Sequence, residues 1–397
     1  MSRTSPARQQ ERSEWIERAE SVGPTLTDHA EASVQSRTLA PESVSALEEA
    51  GFFRMASPRE VGGYDVHPAT QVEAFEQLAT ADVSSGWVAM IQAETPGMVG
   101  SHLADGVGLD TVFGDVFPRI AGTANPEGVA TALSDGSFRL NGRWSFASGI
   151  RHCSWVLANS VVVKEDGSRP TPEDELPPVI GSVVEQPRLV VEDSWDVMGL
   201  EGTGSCHYQA HDVVVQPEFT TPFGGVYSNR GGPWFENPTI TFLSPGHTGI
   251  ALGSARRALE LLNGEIGNRT RFGASRSIAD RGAFQRDYGE MSCRYEAARA
   301  YAMSILDEAM AQREAGERTS HAQDARIRAM VTWVTDTCVD VVRFAHHSGG
   351  GAAAFSGSPL QRLLRDILVA SQHIFVADSA YERSGAFRLG RETSVVL

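Results

Sequence analysis

Residues 140–163 read LNGRWSFASGIRHCSWVLANSVVV, and this stretch decides how the middle of the chain folds. Asn141 and Gly142 form a pair typical of a hairpin turn. Asp-Gly pairs at 135–136 and 166–167 punctuate the neighbouring sequence in the same way. Short β-branched and aromatic runs lie between these pairs, which predicts an antiparallel β-domain. Trp144 and Phe146 alternate onto one face of a strand there, either as core residues or as the wall of a cofactor site.

The chain on both sides of this β-domain has the periodicity of helices. Pro41 and Gly51 mark the start and end of one short helix, and Pro68 begins another. In the last third of the chain, apolar residues recur three and four apart, which predicts long helices packed as an antiparallel bundle. The last of these helices is predicted to run from Pro359 to Glu382. One predicted buried stripe consists of Ile327, Val331, Val334, Cys338, Val341 and Ala345.

The composition disfavours several classes of function. The 397-residue chain has a formal net charge of −16, so nucleic acids and anionic membranes are unfavourable partners. Its four cysteines are widely spaced and include no CxxC pair, which predicts neither a disulfide framework nor a zinc site and indicates a cytoplasmic protein. His346 and His347 point about 100° apart on a helix, so they do not predict a metal site. No apolar run approaches the ~20 residues that a bilayer-spanning helix needs.

Four stretches together resemble the acyl-CoA dehydrogenase superfamily over nearly the whole chain. They are NGRWSFASG, SWDVMGLEGTGSCHYQAHDVVV, NRTRFGAS and PLQRLLRDILVASQHIF. The resemblance implies an α+β fold with three domains. These are an N-terminal helical domain (residues 1–118), a middle antiparallel β-barrel domain (119–225) and a C-terminal four-helix bundle (226–397).

The same resemblance implies a flavin site. Ser148 would lie at the flavin N5 atom, beside Trp144 and Phe146, which would flank the ring. The GLEGTGS loop would lie at the pyrimidine edge of the ring, although the Cys-His-Tyr sequence that follows it departs from the usual pattern. The remaining cofactor contacts would come from Thr203, Gly204, Ser205, Arg269, Phe272, Gly350 and Gly351.

The reaction is predicted from a missing carboxylate. A dehydrogenase of this superfamily needs a base to remove a proton from its substrate. His373 and Ile374 occupy the usual position of that base, and no acidic residue lies between Glu236 and Glu260, where the alternative base would be. The ending QHIF instead resembles the two-component flavin monooxygenases of this fold. These enzymes receive FMNH2 or FADH2 from a separate reductase, react with O2 through a C4a-hydroperoxyflavin and hydroxylate a small aromatic substrate.

In that branch, His373 and Ser148 would manage the oxygen chemistry, and His102 would interact with the substrate hydroxyl. Thr123 and Asn125 would enter the same pocket. The resemblance also implies a homotetramer. Oxygen transfer to nitrogen or sulfur remains open, as do a dehydrogenase or oxidase with Asp366 or Asp378 as its base and an inactive flavin-binding homologue.

Overall fold

The computed structural model describes residues 5–224, 227–266, 270 and 275–391. Helices come first, then strands, then helices again. The first helices are α1 (Pro6–Asp28), α2 (Ala30–Ser36), α3 (Pro41–Glu49), α4 (Pro68–Ala81), α5 (Val83–His102) and α6 (Val107–Val112). The strands are β1 (Ile120–Gly122), β2 (Gly128–Ala132), β3 (Phe138–Ala147), β4 (Trp155–Val163), β5 (Val179–Glu185), β6 (Val190–Val191), β7 (Cys206–Val215) and β8 (Thr220–Pro222). The last helices are α7 (Thr239–Ile266), α8 (Gly282–Glu314), α9 (His321–Gly349), α10 (Pro359–Ala370) and α11 (Ser379–Arg388).

The helix starts predicted from prolines are confirmed. Both α3 and α4 begin with proline, whose fixed φ and missing N–H suit the first helical turn. The chain leaves α3 at Gly51, which has a φ of 84°. That left-handed conformation is one that glycine adopts without steric cost.

The strands form one mixed sheet in the order β6-β7-β3-β2-β4-β5-β8, with β1 paired to β4. Both β1 and β2 run parallel to β4, so the prediction of a purely antiparallel domain is wrong. The reason lies between β3 and β4. Gly149, with a φ of 72°, and the turn Ile150–His152 carry the chain out of the sheet, so that β4 pairs with β2 and not with β3.

Asn141 and Gly142 lie inside β3, so the predicted hairpin turn at this pair is also wrong. The side chain of Asn141 donates to Asp212 Oδ1 (2.9 Å) and accepts from the Asp212 amide (2.9 Å), which joins β3 to β7. A Cβ atom on Gly142 would stand 2.7 Å from the Cα of Gly128. The pair therefore accommodates a bulge and a close crossing of two strands.

The C-terminal helices pack around α9. Its predicted stripe, from Ile327 to Ala345, is fully buried, because α7, α8, α10 and α11 all contact this helix. The predicted helix from Pro359 to Glu382 is instead two helices, α10 and α11, separated by residues 371–378. No proline or glycine marks this break. The ring of Phe375 is buried there and lies edge-on to His373, with ring centroids 4.5 Å apart.

Two buried carboxylates join α4 to α8. Arg299 donates to Glu73 (2.6 Å) and to Glu76 (2.9 Å), and Arg12 donates to the second oxygen of Glu73 (2.5 Å). Tyr295 donates to the second oxygen of Glu76. All four carboxylate oxygens therefore have a partner, as buried charges require.

Candidate active site

A bulge at the end of β3 shifts the pairing between β3 and β7. Trp144 pairs with Tyr208 of β7, but the register then shifts before Ala147 pairs with Cys206. Phe146 lies in the bulge with a φ of 66° and is 62% exposed. A non-glycine residue in this conformation is strained, and such strain often accompanies a functional site.

The bulge separates two residues that the sequence placed on one wall. Trp144 is fully buried, stacks on Tyr208 (ring centroids 5.2 Å apart) and donates to the carbonyl of Asn159 (2.6 Å). The prediction that Trp144 flanks a flavin is therefore corrected, because Trp144 is a core residue of the sheet. Phe146 presents its ring outward, edge-on to His207 and Trp195.

A chain of hydroxyl groups begins at Ser148, directly after β3. The Trp87 indole N–H donates to Ser148 Oγ (3.1 Å), and Ser148 Oγ lies 2.7 Å from Ser205 Oγ. Ser205 Oγ lies 2.7 Å from Thr203 Oγ1, which donates to the carbonyl of Leu200 (2.8 Å). The structure thus brings together Ser148, Thr203 and Ser205, which the sequence predicted for one site.

The loop that carries Thr203 and Ser205 is held by α10. The Leu200 amide donates to Asp366 Oδ1 (2.6 Å), and Arg365 donates to the carbonyl of Met198 (2.8 Å) and to Glu201 (2.6 Å). Burial raises the pKa of Asp366 to about 7, against the opposing effect of the Leu200 amide. Asp366 therefore positions this loop and does not approach the hydroxyl chain as a base would.

We expect the Asp366→Asn variant to remove part of the pH dependence of stability. Between pH ~4 and ~7, folded Asp366 keeps a proton that the unfolded chain releases, so the contribution of Asp366 to the free energy of unfolding falls as pH rises through this window. Asparagine still accepts from Leu200 but does not titrate. Between pH 5 and pH 8, the change in the free energy of urea unfolding should be about 2 kcal/mol more positive for the variant than for the wild type. Equal changes in the two proteins would contradict this assignment.

Two histidines and a tryptophan meet beside the start of the hydroxyl chain. The ring centroids of His247 and His373 lie 5.4 Å apart, and those of Trp87 lie 5.4 Å from His247 and 5.5 Å from His373. Burial lowers the pKa of His373 to about 4 and that of His247 well below its ordinary value, with His373 adding to the second shift. Both imidazoles are therefore neutral at pH 7.

The tautomer of His373 follows from one contact. Its Nδ1 atom accepts from the amide of Phe375 (3.4 Å), so Nε2 carries the hydrogen of the neutral ring. His247 is 1% exposed, and neither of its ring nitrogens has a hydrogen-bond partner among the described residues. Buried polar groups are usually hydrogen-bonded, so the two nitrogens of His247 are candidates for contact with a bound molecule.

An unpaired acid lies farther along α5. Glu94 follows Trp87 by seven residues, so it lies on the same face about 10 Å along the helix. It is 2% exposed, and its Oε1 accepts from the amide of Gly246 (3.2 Å). No ion pair to Glu94 occurs in the described part of the chain, and burial raises its pKa well above the ordinary value. The next residue, Thr95, approaches Gly122 at the end of β1.

The structure does not bring His102 into this cluster. His102 follows Trp87 by fifteen residues, about 22 Å along α5. Its Nδ1 atom lies 2.9 Å from the carbonyl of Met98, in its own helix. The substrate role predicted for His102 is therefore not supported by its position.

The other predicted site residues come from four places in the sequence. Thr123 is half-buried beside the end of β1, and Asn125 is exposed. Gly204 has a φ of 54°, and a Cβ atom on this residue would lie 3.0 Å from Thr38 Oγ1. Gly350 and Gly351 are exposed after α9 and have open space at their Cβ positions. Arg269 and Phe272 lie outside the described residues.

Among the described residues, no group of three or more His, Cys, Asp or Glu side chains is arranged to hold a metal ion. No described helix combines the length and the apolar character that crossing a bilayer requires.

The residues of this region fit a flavin. An exposed aromatic face at Phe146 lies next to buried hydroxyl groups, which matches a flat ring with one polar edge. Two neutral histidines pack against Trp87, whose indole N–H donates to the first of these hydroxyl groups. The fold and the site together define a flavin-binding protein with the architecture of the acyl-CoA dehydrogenases.

Comparisons with known proteins make the class specific. The family model "Acyl-CoA dehydrogenase, C-terminal domain" matches residues 246–378. Indole-3-acetate monooxygenase of Pseudomonas putida is 30% identical over 90% of this chain and 89% of its own. The flavin-dependent monooxygenase oxygenase subunit HsaA of Rhodococcus jostii (strain RHA1) is 29% identical over 88% of this chain and 91% of its own. The chain belongs to the flavin-dependent monooxygenases of the acyl-CoA dehydrogenase fold.

A solved structure supports the same fold. XiaF from a Streptomyces species, in complex with FADH2 and glycerol, superposes with a TM-score of 0.90. The match covers 98% of each chain at 21% identity.

Three residues of the cluster were not predicted from the sequence. Trp87 and Glu94 lie in a largely apolar helix, where single residues give no periodic signal. His247 lies between Glu236 and Glu260, where the prediction considered only acidic residues. One available signal was the Pro245-Gly246 pair just before it, because a proline inside a helix often marks a functional irregularity.

Proposed function

We propose that this chain is the oxygenase component of a two-component system, receives FADH2 or FMNH2 from a separate reductase and hydroxylates a small aromatic substrate with O2. The observation that carries the proposal is the hydroxyl chain that begins at Ser148, which accepts from Trp87, together with the two neutral histidines that pack against Trp87. The similarity to named oxygenase subunits supports the need for a reductase. A cytoplasmic homotetramer with the three-domain layout inferred from the sequence completes the proposal.

Ser148 would hold the flavin ring at its polar edge, supported from behind by Ser205 and Thr203, with Phe146 at the apolar face of the ring. The bound reduced flavin supplies the electrons that activate O2. His373 presents its Nε2–H as a donor, and its low pKa keeps the ring neutral. Trp87 fixes the Ser148 hydroxyl and fills the space between Ser148 and the histidines. The burial of Ser148, Trp87 and His247 limits the access of water to this part of the site.

The substrate would occupy the seam where α5, α7 and the end of β1 meet. Glu94 lies in this seam as a buried acid, and Thr123 lies at its β1 side. Burial raises the pKa of Glu94 and so favours its protonated form, and a protonated carboxyl group can donate or accept a hydrogen bond, so Glu94 suits a hydroxyl or N–H group of an aromatic ring. Glu94 thereby takes the substrate-facing place that the sequence assigned to His102.

The two-component character can be tested by reconstitution. The purified chain is mixed with NADH, FAD or FMN, and indole, resorcinol or indole-3-acetate as probe substrates. We expect no product until a general flavin reductase is added, and hydroxylated product afterwards. Product formation from NADH without any reductase would contradict the two-component assignment.

A further inference from the structure

We propose that the hydroxyl chain makes Ser148 a hydrogen-bond acceptor toward the cofactor, so that the site selects reduced over oxidised flavin. The inference rests on the proposed function, in which Ser148 Oγ meets flavin N5. The residues that impose the selection are Ser205 and Thr203, which lie one and two hydrogen bonds behind Ser148.

The direction of each hydrogen bond follows from the end of the chain. The carbonyl of Leu200 only accepts, so it takes the single hydroxyl hydrogen of Thr203 (2.8 Å). Thr203 must then accept from Ser205, and Ser205 must accept from Ser148. The Trp87 indole N–H only donates and occupies one acceptor position of Ser148. Ser148 therefore has its hydrogen committed and one acceptor position free.

The two redox states of a flavin differ at the atom that Ser148 meets. Reduced flavin carries a hydrogen on N5, which matches the free acceptor position of Ser148. Oxidised flavin has an acceptor at N5, so two acceptors would face each other unless Ser148 turned its hydrogen away from Ser205. That turn would leave buried Ser205 without its donor, which costs free energy. Ser205 and Thr203 thus favour the binding of reduced flavin, although neither residue contacts the flavin.

Two conservative variants remove a hydroxyl group from the hydroxyl chain and leave Ser148 itself unchanged. Ser205→Ala removes the group that accepts the Ser148 hydrogen. Thr203→Val removes the group that accepts the Ser205 hydrogen, so Ser205 can donate to Ser148 and the Ser148 hydrogen is no longer committed. Thr203→Ser restores the hydroxyl as a rescue variant. Ser182→Ala, at a serine that is equally buried in β5 and lies outside the chain, is the matched control.

The measurement is the dissociation constant of FAD in each redox state, by fluorescence titration for oxidised FAD and by anaerobic titration for reduced FAD. We expect Ser205→Ala and Thr203→Val to lower the ratio of oxidised to reduced dissociation constants about tenfold. The midpoint potential of bound FAD should fall by about 30 mV accordingly. Thr203→Ser and Ser182→Ala should keep the wild-type ratio.

The outcomes separate this inference from the proposed function. An unchanged ratio in both Ser205→Ala and Thr203→Val, with tight binding of reduced FAD, would overturn the role of the hydroxyl chain alone. A wild-type protein that bound neither FADH2 nor FMNH2 would overturn the proposed function as well.

Discussion

Replacing His373 with alanine is expected to lower the hydroxylated product formed per flavin oxidised by about 100-fold, within the range typical of a lost proton donor. His373 is the neutral imidazole that packs against Trp87, the donor to Ser148, and its Nε2 atom carries a hydrogen. Reduced flavin should still react with O2 in the variant. The oxygen should then leave as hydrogen peroxide, because nothing holds it for transfer to the substrate.

Single-turnover mixing of the protein, reduced FAD, O2 and a probe substrate (indole, resorcinol or indole-3-acetate), with product and peroxide quantified separately, checks this expectation. The control is His211→Ala, which removes an exposed histidine on β7 and should leave both yields unchanged. His373→Asn keeps a donor of similar reach and should recover part of the product. Wild-type product yield in His373→Ala would remove His373 from the oxygen chemistry.

The largest expected loss of stability comes from Arg299→Met. This change leaves Glu76 with Tyr295 and Glu73 with Arg12, so two buried carboxylates lose a charged partner. Removing one member of a buried ion pair typically costs 3–5 kcal/mol, and the partial exposure of Arg299 places the expected loss near 3 kcal/mol. Urea unfolding followed by tryptophan fluorescence measures the loss.

A matched control lies on the same helix. Arg294 pairs with Glu290 and Asp340 on the exposed side of α8, so Arg294→Met should change the free energy of unfolding by less than about 1 kcal/mol. Adding Glu76→Gln to Arg299→Met should restore part of the stability, because it removes one uncompensated charge. Equal losses in the two single variants would show that burial of the carboxylates does not set the cost.

Most of the order of helices and strands, and part of the candidate site, could be predicted from the sequence. Local signals sufficed where they are strong: proline at the starts of α3 and α4, and the apolar stripe of α9. Ser148, Thr203 and Ser205 were predicted through the resemblance to a flavoprotein superfamily, and the structure places them in one hydrogen-bonded chain.

The remaining features depend on contacts between distant residues. The Asn141-Gly142 pair has the composition of a hairpin turn, but its bonds to Asp212 keep it within β3. The alternation of Trp144 and Phe146 ends at a bulge that only the pairing with β7 reveals. The break between α10 and α11 contains no glycine or proline that would predict it from the sequence. It coincides with the burial of the Phe375 ring, which depends on tertiary contacts.

The two residues that the sequence offered as the base of a dehydrogenase, Asp366 and Asp378, are not placed to act as one. Asp366 is committed to the Leu200 amide, and Asp378 is exposed at the start of α11. The hydroxyl chain and the two neutral histidines instead suit a site in which reduced flavin meets O2.

The most direct test of the monooxygenase assignment is a single turnover under ¹⁸O2 with one equivalent of chemically reduced FAD, no reductase, and indole, resorcinol or indole-3-acetate as probes. One ¹⁸O atom should appear in the product, and anaerobic incubation of the same probes with oxidised FAD and the protein should leave the flavin absorbance unchanged. Anaerobic bleaching of the oxidised flavin by a probe, or a product without ¹⁸O, would contradict the assignment.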